Sequence, residues 1–238
     1  MKALILAAGL GTRLRPLTDT KPKSMVEVNG KPILFKQIDN LLENKIDDIT
    51  IVTGYKSEVI IDAVSDTYKI HKNIKTIHNK DFDKTNNMYS AYLAMEDMYN
   101  SEFLLMNADV FHDASIIKEL IKDEYQNSIV VEKGVYSEEN MKVVFDGTRI
   151  QEISKQVTKS DAYGTSTDIY KFTKEGSNIF YDKVKDYIVN MKELNQWTEV
   201  ALNEVLKTVE FTPCPLKGRW MEIDNHEDLK KAESIFNG

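Results

Sequence analysis

The chain has 238 residues, of which 42% are hydrophobic and 29% are charged, so it is long enough to bury a sizeable core. Its 31 basic and 38 acidic residues give a net charge of −7, which argues against a broad basic face for nucleic acid but allows a local basic pocket for a small anion. The single cysteine, Cys214, excludes an intramolecular disulfide framework and a multi-cysteine zinc site.

The first half of the chain alternates strand-like and helix-like segments. Apolar or β-branched runs predict strands at residues 2–8, 49–55, 74–79 and 102–108. Apolar residues at helical spacing predict helices at residues 32–44, 57–68 and 87–98. This alternation predicts βαβ units around a central parallel sheet.

The second half is richer in strands. We predict strands at residues 128–136, 141–145, 149–154, 163–172, 209–215 and 220–223, and helices at 175–190, 198–207 and 227–236. Together the two halves predict a three-layer α/β/α, Rossmann-like fold with a mixed central sheet and an added, small β-rich region. The N-terminal apolar run is too short to span a membrane and is not followed by a signal-type cleavage pattern, so we expect a cytoplasmic protein with no membrane partner.

The segment 6–32, LAAGLGTRLRPLTDTKPKSMVEVNGKP, carries the strongest functional signal. It begins where a buried strand ends, which is where open α/β sheets bind ligands. Gly9 and Gly11 allow the backbone N–H groups to approach an anion, and Thr12 adds a hydroxyl. Four cations of this segment can counter a triphosphate: Arg13, Arg15, Lys21 and Lys23. Neither G-x-G-x-x-G nor the Walker sequence is present, so the loop predicts phosphate binding of another type.

The stretch LAAGLGTRLRPLTDTKPKSM closely resembles the signature of the nucleotidyltransferase family that includes sugar-1-phosphate nucleotidylyltransferases and CTP:phosphocholine cytidylyltransferases. The resemblance implies one nucleotidyltransferase domain over 1–238, with 1–125 mainly binding the nucleotide and 126–238 mainly binding the acceptor and supplying the second metal ligand. It implies that the loop wraps the nucleotide phosphates and that Lys23 and Arg13 stabilise them during transfer. The nucleotide-binding set at this end is Leu6, Ala8, Gly9, Gly11, Thr12, Arg13 and Lys23.

Two aspartates follow predicted strands. Asp109 ends the run FLLMNAD and Asp224 ends WMEID, so both could meet at one edge of the sheet, although each could equally cap the helix that follows it. The resemblance implies that both bind a catalytic Mg²⁺, with Asp109 counted among the catalytic residues. Magnesium prefers one or two carboxylates together with phosphate oxygens.

The region that would contact the base reads HNKDFDKTNNMYSAYLA, without the glycine-rich stretch of sugar-1-phosphate enzymes. Asn86, Asn87 and Ser90 resemble the cytidylyltransferase branch. Each carboxamide can offer a donor and an acceptor to the edge of cytosine, and each could instead cap a helix.

The acceptor is left open between phosphocholine, phosphoethanolamine and a phosphorylated amino acid such as phosphoglutamine. Lys155 would hold its phosphate, and Asp168 could pair with an ammonium group. The whole predicted acceptor set is Lys155, Tyr163, Asp168, Trp197 and Glu199. The stretch 132–146 has no tryptophan, where phosphocholine enzymes lead us to expect one for an aromatic box.

We therefore expect a Mg²⁺-dependent cytidylyltransferase that transfers CMP from CTP to a small phosphorylated acceptor and releases pyrophosphate. Its partners would be CTP, or another NTP, and the acceptor, with no nucleic acid; a homodimer is compatible with the resemblance. One alternative is a sugar-1-phosphate nucleotidyltransferase using UTP, dTTP, GTP or CTP. The other is a module that senses NTP without turnover.

Overall fold

The computed structural model describes residues 1–122 and 124–237. Its strands are β1 Lys2–Ala7, β2 Glu27–Val28, β3 Lys31–Pro32, β4 Ile49–Thr53, β5 Ile74–His78, β6 Phe103–Asn107, β7 Val110–His112, β8 Ser128–Lys133, β9 Lys142–Phe145, β10 Ile150–Ser154, β11 Gly164–Phe172, β12 Thr212–Pro215 and β13 Trp220–Glu222. Its α-helices are α1 Ile33–Glu43, α2 Ser57–Thr67, α3 Asn87–Leu93, α4 Met95–Met98, α5 Ala114–Leu120, α6 Lys174–Lys185, α7 Thr198–Leu206 and α8 His226–Ile235.

One mixed sheet runs through both halves of the chain. Its main path has the order β10-β9-β11-β6-β1-β4-β5, and β8 joins it by pairing with β11 and β12. The neighbours of β1 are parallel to it, whereas β11 is antiparallel to β6, β8 and β9. The parallel half therefore directs the carboxyl ends of β1, β4 and β6 to one edge, where open α/β sheets bind ligands.

The first strand shows why the sheet has helices on both faces. Side chains alternate along a strand, so Ala3, Ile5 and Ala7 enter one core cluster while Leu4 and Leu6 enter the other. Residues of α1, α2 and α5 fill the first of these clusters, and residues of α3, α6 and α7 fill the second. The predicted three-layer fold with a mixed central sheet is confirmed.

A third, smaller cluster fixes the loop after β1 and the end of the chain. Leu14 and Val26 from the loop pack with Phe111, Ile223 and residues of α8. The two-stranded β7–β13 pair sets the register here, with Glu222 opposite Val110. This pairing brings chain segments more than a hundred residues apart to the same sheet edge.

The sequence missed several elements and misjudged others. Short β7 and α5 were not predicted, since a three-residue strand and a seven-residue helix carry little periodicity. The helix predicted at 87–98 is interrupted at Ala94, and the one at 175–190 continues beyond Lys185 as a π-helical turn. Within the described ranges, no helix combines the length and apolar character needed to cross a membrane.

Candidate functional site

A cavity of about 350 Å³ opens at the carboxyl ends of β1 and β6. Elements from both halves of the chain form its wall, and much of that wall is polar. The lining residues are Leu6, Ala7, Ala8, Gly9, Arg13, Lys23, Ser24, Asn79, Phe82, Thr85, Asn86, Asn87, Ser90, Asn107, Ala108, Asp109, Glu139, Met141, Lys155, Ser166, Asp168, Trp197, Glu199, Glu222 and Asp224.

Lys23 lies at the centre of a charged cluster at one end of the cavity. Its Nζ donates to Asp109 Oδ2 at 2.8 Å and to Asp224 Oδ1 at 2.5 Å. Arg13 Nη2 reaches the other oxygen of Asp224 at 2.8 Å. Two carboxylates from distant segments thus share one ammonium. Asp109 and Asp224 therefore meet at one edge of the sheet, where the sequence predicted that they could.

These contacts shift the pKa of both partners. Burial alone would lower the pKa of Lys23, but the attraction of Asp109 and Asp224 outweighs it and raises the pKa above its usual value. Burial would raise the pKa of Asp224, yet Lys23 and Arg13 together lower it. The ammonium and the Asp224 carboxylate are therefore both charged at neutral pH.

The pairing of β7 with β13 adds a third carboxylate to this cluster. Asp109, Glu222 and Asp224 each offer one oxygen, and these oxygens lie within 4.8 Å of one another. Burial, followed by repulsion from Asp109, Asp168 and Asp224 and opposed by Lys23, raises the pKa of Glu222 to about 9. Glu222 was not singled out in the sequence, because a glutamate at an alternating position of a short strand is typical of a solvated face.

This donor set fits a hard divalent cation. Carboxylate oxygens are the ligands that Mg²⁺ prefers, and Oδ1 of Asp109 is buried without a hydrogen-bond partner in the part of the chain that the structure describes. The ammonium of Lys23 already provides positive charge between two of the three groups. Asp109, Glu222 and Asp224 are thus the residues that could hold the metal.

The glycine loop plays two different structural roles. Gly9 lines the cavity, and a Cβ at this position would meet no atom within 4 Å, so its backbone is open to an approaching group. Gly11 has φ +61°, and a Cβ there would lie 2.7 Å from Lys23 Cβ. The absence of a side chain at Gly11 therefore allows Lys23 to pack closely against the loop backbone. Neither Gly11 nor the exposed Thr12 lines the cavity.

Asn86, Asn87 and Ser90 do line the cavity, but the side-chain oxygens of both asparagines are engaged. Asn86 Oδ1 accepts from Asn87 N at 2.8 Å, and Asn87 Oδ1 accepts from Thr198 N at 2.9 Å. These oxygens cap α3 and fix the start of α7, as the alternative of a helix cap predicts. Each oxygen keeps a second lone pair, and within the described residues neither amide nitrogen forms a hydrogen bond, so the expected contact with cytosine stays a prediction.

Asn79 and Phe82 complete this wall, and neither was predicted from the sequence. Asn79 is buried and donates to Ser90 Oγ and Thr85 Oγ1, each at 3.1 Å. Phe82 packs close to Gly54, where a Cβ would lie 2.6 Å from Phe82 Cβ and 2.6 Å from the Ala8 carbonyl oxygen. Gly54 thus allows β4 to approach the end of β1 beneath the cavity.

Asp168 and Glu199 add two further acidic groups to the cavity wall. Asp168 sits at a bulge of β11 with φ +57°, which turns its carboxylate toward Asn107 Nδ2 at 3.1 Å. The hydroxyl of Tyr170 lies 3.0 Å from Asp168 Oδ1 and 2.8 Å from Glu199 Oε1. Glu199 is only 4% exposed. The two carboxyl groups thus share one hydroxyl, and Asp168 also accepts from Ser166 Oγ at 3.3 Å.

The pKa values of this pair reflect the burial of two neighbouring carboxyl groups. Burial, followed by repulsion from Glu199 and Asp109, raises the pKa of Asp168 to about 7, against hydrogen bonds from Asn107 and Tyr170 that lower it. Burial likewise raises the pKa of Glu199. A bound cation would relieve both groups.

Of the other predicted acceptor residues, Lys155 and Trp197 line the cavity and Tyr163 does not. Lys155 Nζ lies 5.2 Å from the Trp197 ring centroid and 3.9 Å from Glu139 Oε2. The ring of Tyr163 instead packs edge-on against Phe145 and under the ammonium of Lys133. Tyr163 lies just before β11 and packs, partly buried, against the core cluster formed with α3, α6 and α7, which the sequence pattern did not resolve.

Comparison with known proteins agrees with this geometry. Residues 2–236 match the sequence profile of the nucleotidyl transferase family. The choline-phosphate cytidylyltransferase of Streptococcus pneumoniae is 33% identical over 254 aligned residues, covering 99% of this chain and 98% of that protein. The bifunctional protein GlmU of Methanocaldococcus jannaschii is 30% identical over 99% of this chain, and the chain spans about half (54%) of that relative's length.

The similarity extends to sugar-phosphate enzymes and to solved structures. UTP–glucose-1-phosphate uridylyltransferase AglF of Haloferax volcanii is 34% identical over 179 residues, which is 73% of this chain and 72% of that protein. The structure of the CTP:phosphocholine cytidylyltransferase from S. pneumoniae superimposes with a TM-score of 0.82 at 26% identity, covering 99% of each chain.

Proposed function

Because the chain belongs to the nucleotidyl transferase family, we propose that it is a Mg²⁺-dependent cytidylyltransferase that transfers CMP from CTP to a small phosphorylated acceptor bearing a positive charge. The family supports nucleotidyl transfer itself. One observation supports the finer assignment. A single cavity contains the Lys23 cluster, a wall of amide groups and the buried carboxyl pair of Asp168 and Glu199.

The reaction is an in-line displacement at the α-phosphorus of the nucleotide. An oxygen of the acceptor phosphate forms the new P–O bond while the bond to the β-phosphate oxygen breaks, and pyrophosphate leaves. The acceptor phosphate is already ionised at neutral pH, so the chain needs no general base. The protein's part is to align the two substrates and to balance their charge.

Lys23 and Arg13 would stabilise the negative charge of the triphosphate and of the departing pyrophosphate. Both are cations beside the open backbone of Gly9, and Lys23 has a raised pKa that keeps it charged. A Mg²⁺ held by Asp109, Glu222 and Asp224 would supply further positive charge against the phosphate oxygens when it is bound. The three carboxylates would hold the metal, and phosphate oxygens would compete with Asp109 and Asp224 for the ammonium of Lys23.

The wall around Asn86 and Asn87 supports CTP. With their oxygens engaged, the two amide nitrogens present donors. Cytosine offers two adjacent acceptors, O2 and N3, whereas N3 of uracil carries a hydrogen and would face a donor unfavourably. The match in donor pattern favours cytosine over uracil.

The buried carboxyl pair supports an acceptor with an ammonium group. Asp168 and Glu199 share the Tyr170 hydroxyl and are both destabilised as carboxylates by burial, so the positive charge of the acceptor would stabilise their ionised forms. Lys155, on the same wall, is placed to hold the acceptor phosphate. A neutral sugar would leave these carboxyl groups without that partner.

The test is pyrophosphate release by the purified protein with Mg²⁺. CTP, UTP, ATP, GTP and dTTP are crossed against phosphocholine, phosphoethanolamine, phosphorylated amino acids and sugar 1-phosphates. We expect release only with CTP and an amine-bearing acceptor. Release with a sugar 1-phosphate would instead support the activity named for AglF, and NTP binding without release from any pair would support a sensing module.

The charge on the acceptor is tested separately with Glu199→Gln and Asp168→Asn. Each change removes a charged partner, and hydrogen bonds to charged groups are worth about 1.5–3 kcal/mol, so KM for the amine-bearing acceptor should rise about 10- to 100-fold. Ethyl phosphate, which lacks the amine, is the control acceptor, and its KM should change little. Equal changes in KM for the two acceptors would show that Asp168 and Glu199 do not bind the amine.

A further inference from the structure

Lys142, at the start of β9, is a buried cation that the proposed chemistry does not use. It is 3% exposed. Its Nζ lies within hydrogen-bond distance of four backbone carbonyl oxygens, and among the described residues it forms no ion pair. The four carbonyls and their distances from Nζ are Lys155 at 2.7 Å, Ser137 at 3.3 Å, Asn140 at 3.3 Å and Glu138 at 3.5 Å.

The four carbonyls belong to two separate loops. Residues 137–140 precede β9, and Lys155 follows β10. Both loops contribute to the cavity wall, the first through Glu139 and the second through Lys155. A buried ammonium must keep all its donors paired, so both loops have to stay closed around Lys142.

Other contacts mostly hold the ends of the first loop, and one longer ion pair, between Lys155 Nζ and the exposed Glu139 Oε2 at 3.9 Å, also spans the two loops. Asn140 Oδ1 accepts from the N and Oγ of Ser137 at 2.9 and 2.8 Å, which closes the loop on itself. The hydroxyl of Tyr136 donates to the Ala162 and Tyr163 carbonyls at 2.9 and 3.1 Å, which anchors its base. Near the cavity, Lys142 links the backbone of the two loops.

We propose that Lys142 is a positioning residue for the acceptor: its ammonium holds the loop 137–140 and the Lys155 turn together as one wall. The inference rests on the proposed function for the identity of the substrate. Lys142 acts through Lys155 and Glu139 and does not touch the acceptor itself. Loss of the ammonium separates the loops and displaces Lys155, while the nucleotide end keeps its structure.

Lys171 provides a matched control. It is also 3% exposed, also lies in the main sheet, and its Nζ donates to the Lys122 carbonyl at 3.3 Å, with Glu102 at 3.7 Å. Lys171 does not line the cavity. Lys171→Met therefore removes an equally buried ammonium without freeing either acceptor loop.

The kinetic test compares Lys142→Met, Lys142→Arg and Lys171→Met. Lys142→Met should raise KM for the acceptor about tenfold or more, because small misplacements of a binding group carry large penalties, while KM for CTP stays within about twofold. Lys142→Arg should restore part of the loss. Lys171→Met should lower Tm without changing KM. Equal KM changes in the two methionine variants would overturn the proposal.

The second test measures amide hydrogen exchange of the unliganded protein and needs no activity. In Lys142→Met, the amides of 137–141 and 155–158 should exchange about tenfold faster than in the wild type, and those of Lys171→Met should not. Unchanged exchange in Lys142→Met overturns the role of Lys142 even if transfer is confirmed. If the wild-type protein transfers no CMP to any acceptor, the proposed substrate is rejected. Hydrogen exchange in Lys142→Met then still decides whether Lys142 holds the two loops together.

Discussion

Replacement of Lys23 by methionine should change catalysis and metal binding in opposite directions. Lys23 is buried, with its side chain 14% exposed, and its ammonium contacts both Asp109 and Asp224. Methionine keeps the length of the side chain and removes the charge. The variant therefore loses a cation that the triphosphate needs, and it frees the carboxylates that a metal needs.

The expected sizes follow from electrostatics. Loss of one preorganised donor to transition-state charge commonly costs about 2.7–4 kcal/mol, so the rate of pyrophosphate release should fall at least about a hundredfold. A unit charge about 4 Å away contributes up to about 4 kcal/mol at an effective dielectric of about 20, and desolvation offsets much of it. Removal of the competing ammonium should therefore tighten Mg²⁺ binding about tenfold, which corresponds to about 1.4 kcal/mol.

Two assays separate these effects. Pyrophosphate release with CTP and the preferred acceptor gives the rate, and the rise of Tm with Mg²⁺ concentration gives metal affinity without substrates. Lys21→Met is the control, because Lys21 pairs with exposed Glu27 at 3.3 Å and does not line the cavity. Near-normal turnover in Lys23→Met would refute the role of Lys23 at the phosphates. A smaller rise of Tm with Mg²⁺ than in the wild type would refute the idea that the Lys23 ammonium and Mg²⁺ compete for the same carboxylates.

Two further predictions concern the surroundings of the site. Gly54→Ala places a methyl group 2.6 Å from the Ala8 carbonyl oxygen, so the cavity wall must shift and KM for the nucleotide should rise about tenfold in steady-state kinetics; an unchanged KM would contradict the close packing. Burial, opposed by the Asp113 carbonyl and reinforced by Lys36, lowers the pKa of His112 from 6.5 to about 4. The folded state therefore disfavours the protonated ring, and stability present above pH 6.5 is lost as the pH falls toward 4. Urea unfolding should show a loss of about 2 kcal/mol from this group between pH 7 and 4.5, and His112→Asn should lose correspondingly less.

The sequence by itself determined the longer elements and one half of the site. The run at 2–8 reads as a buried strand because both of its faces are apolar, and the loop after it carries the glycines, Arg13 and Lys23 within a few residues. Asp109 and Asp224 could be named because each directly follows a strand signal. These are local features, and local spacing in the chain is what a sequence pattern records.

Only the tertiary structure decided which groups meet. Lys23 contacts Asp224 across 201 positions, and Glu222 joins them because β13 pairs with β7 in one particular register. A bulge in β11 turns Asp168 toward the cavity, whereas Tyr163, just before the strand, packs against Phe145 and does not line the cavity. Lys142 looks like any surface lysine in the sequence, yet four carbonyls from two loops surround it. Periodicity assigns a residue to a face of its own element, but long-range register, bulges and loop closure place that face against its partners.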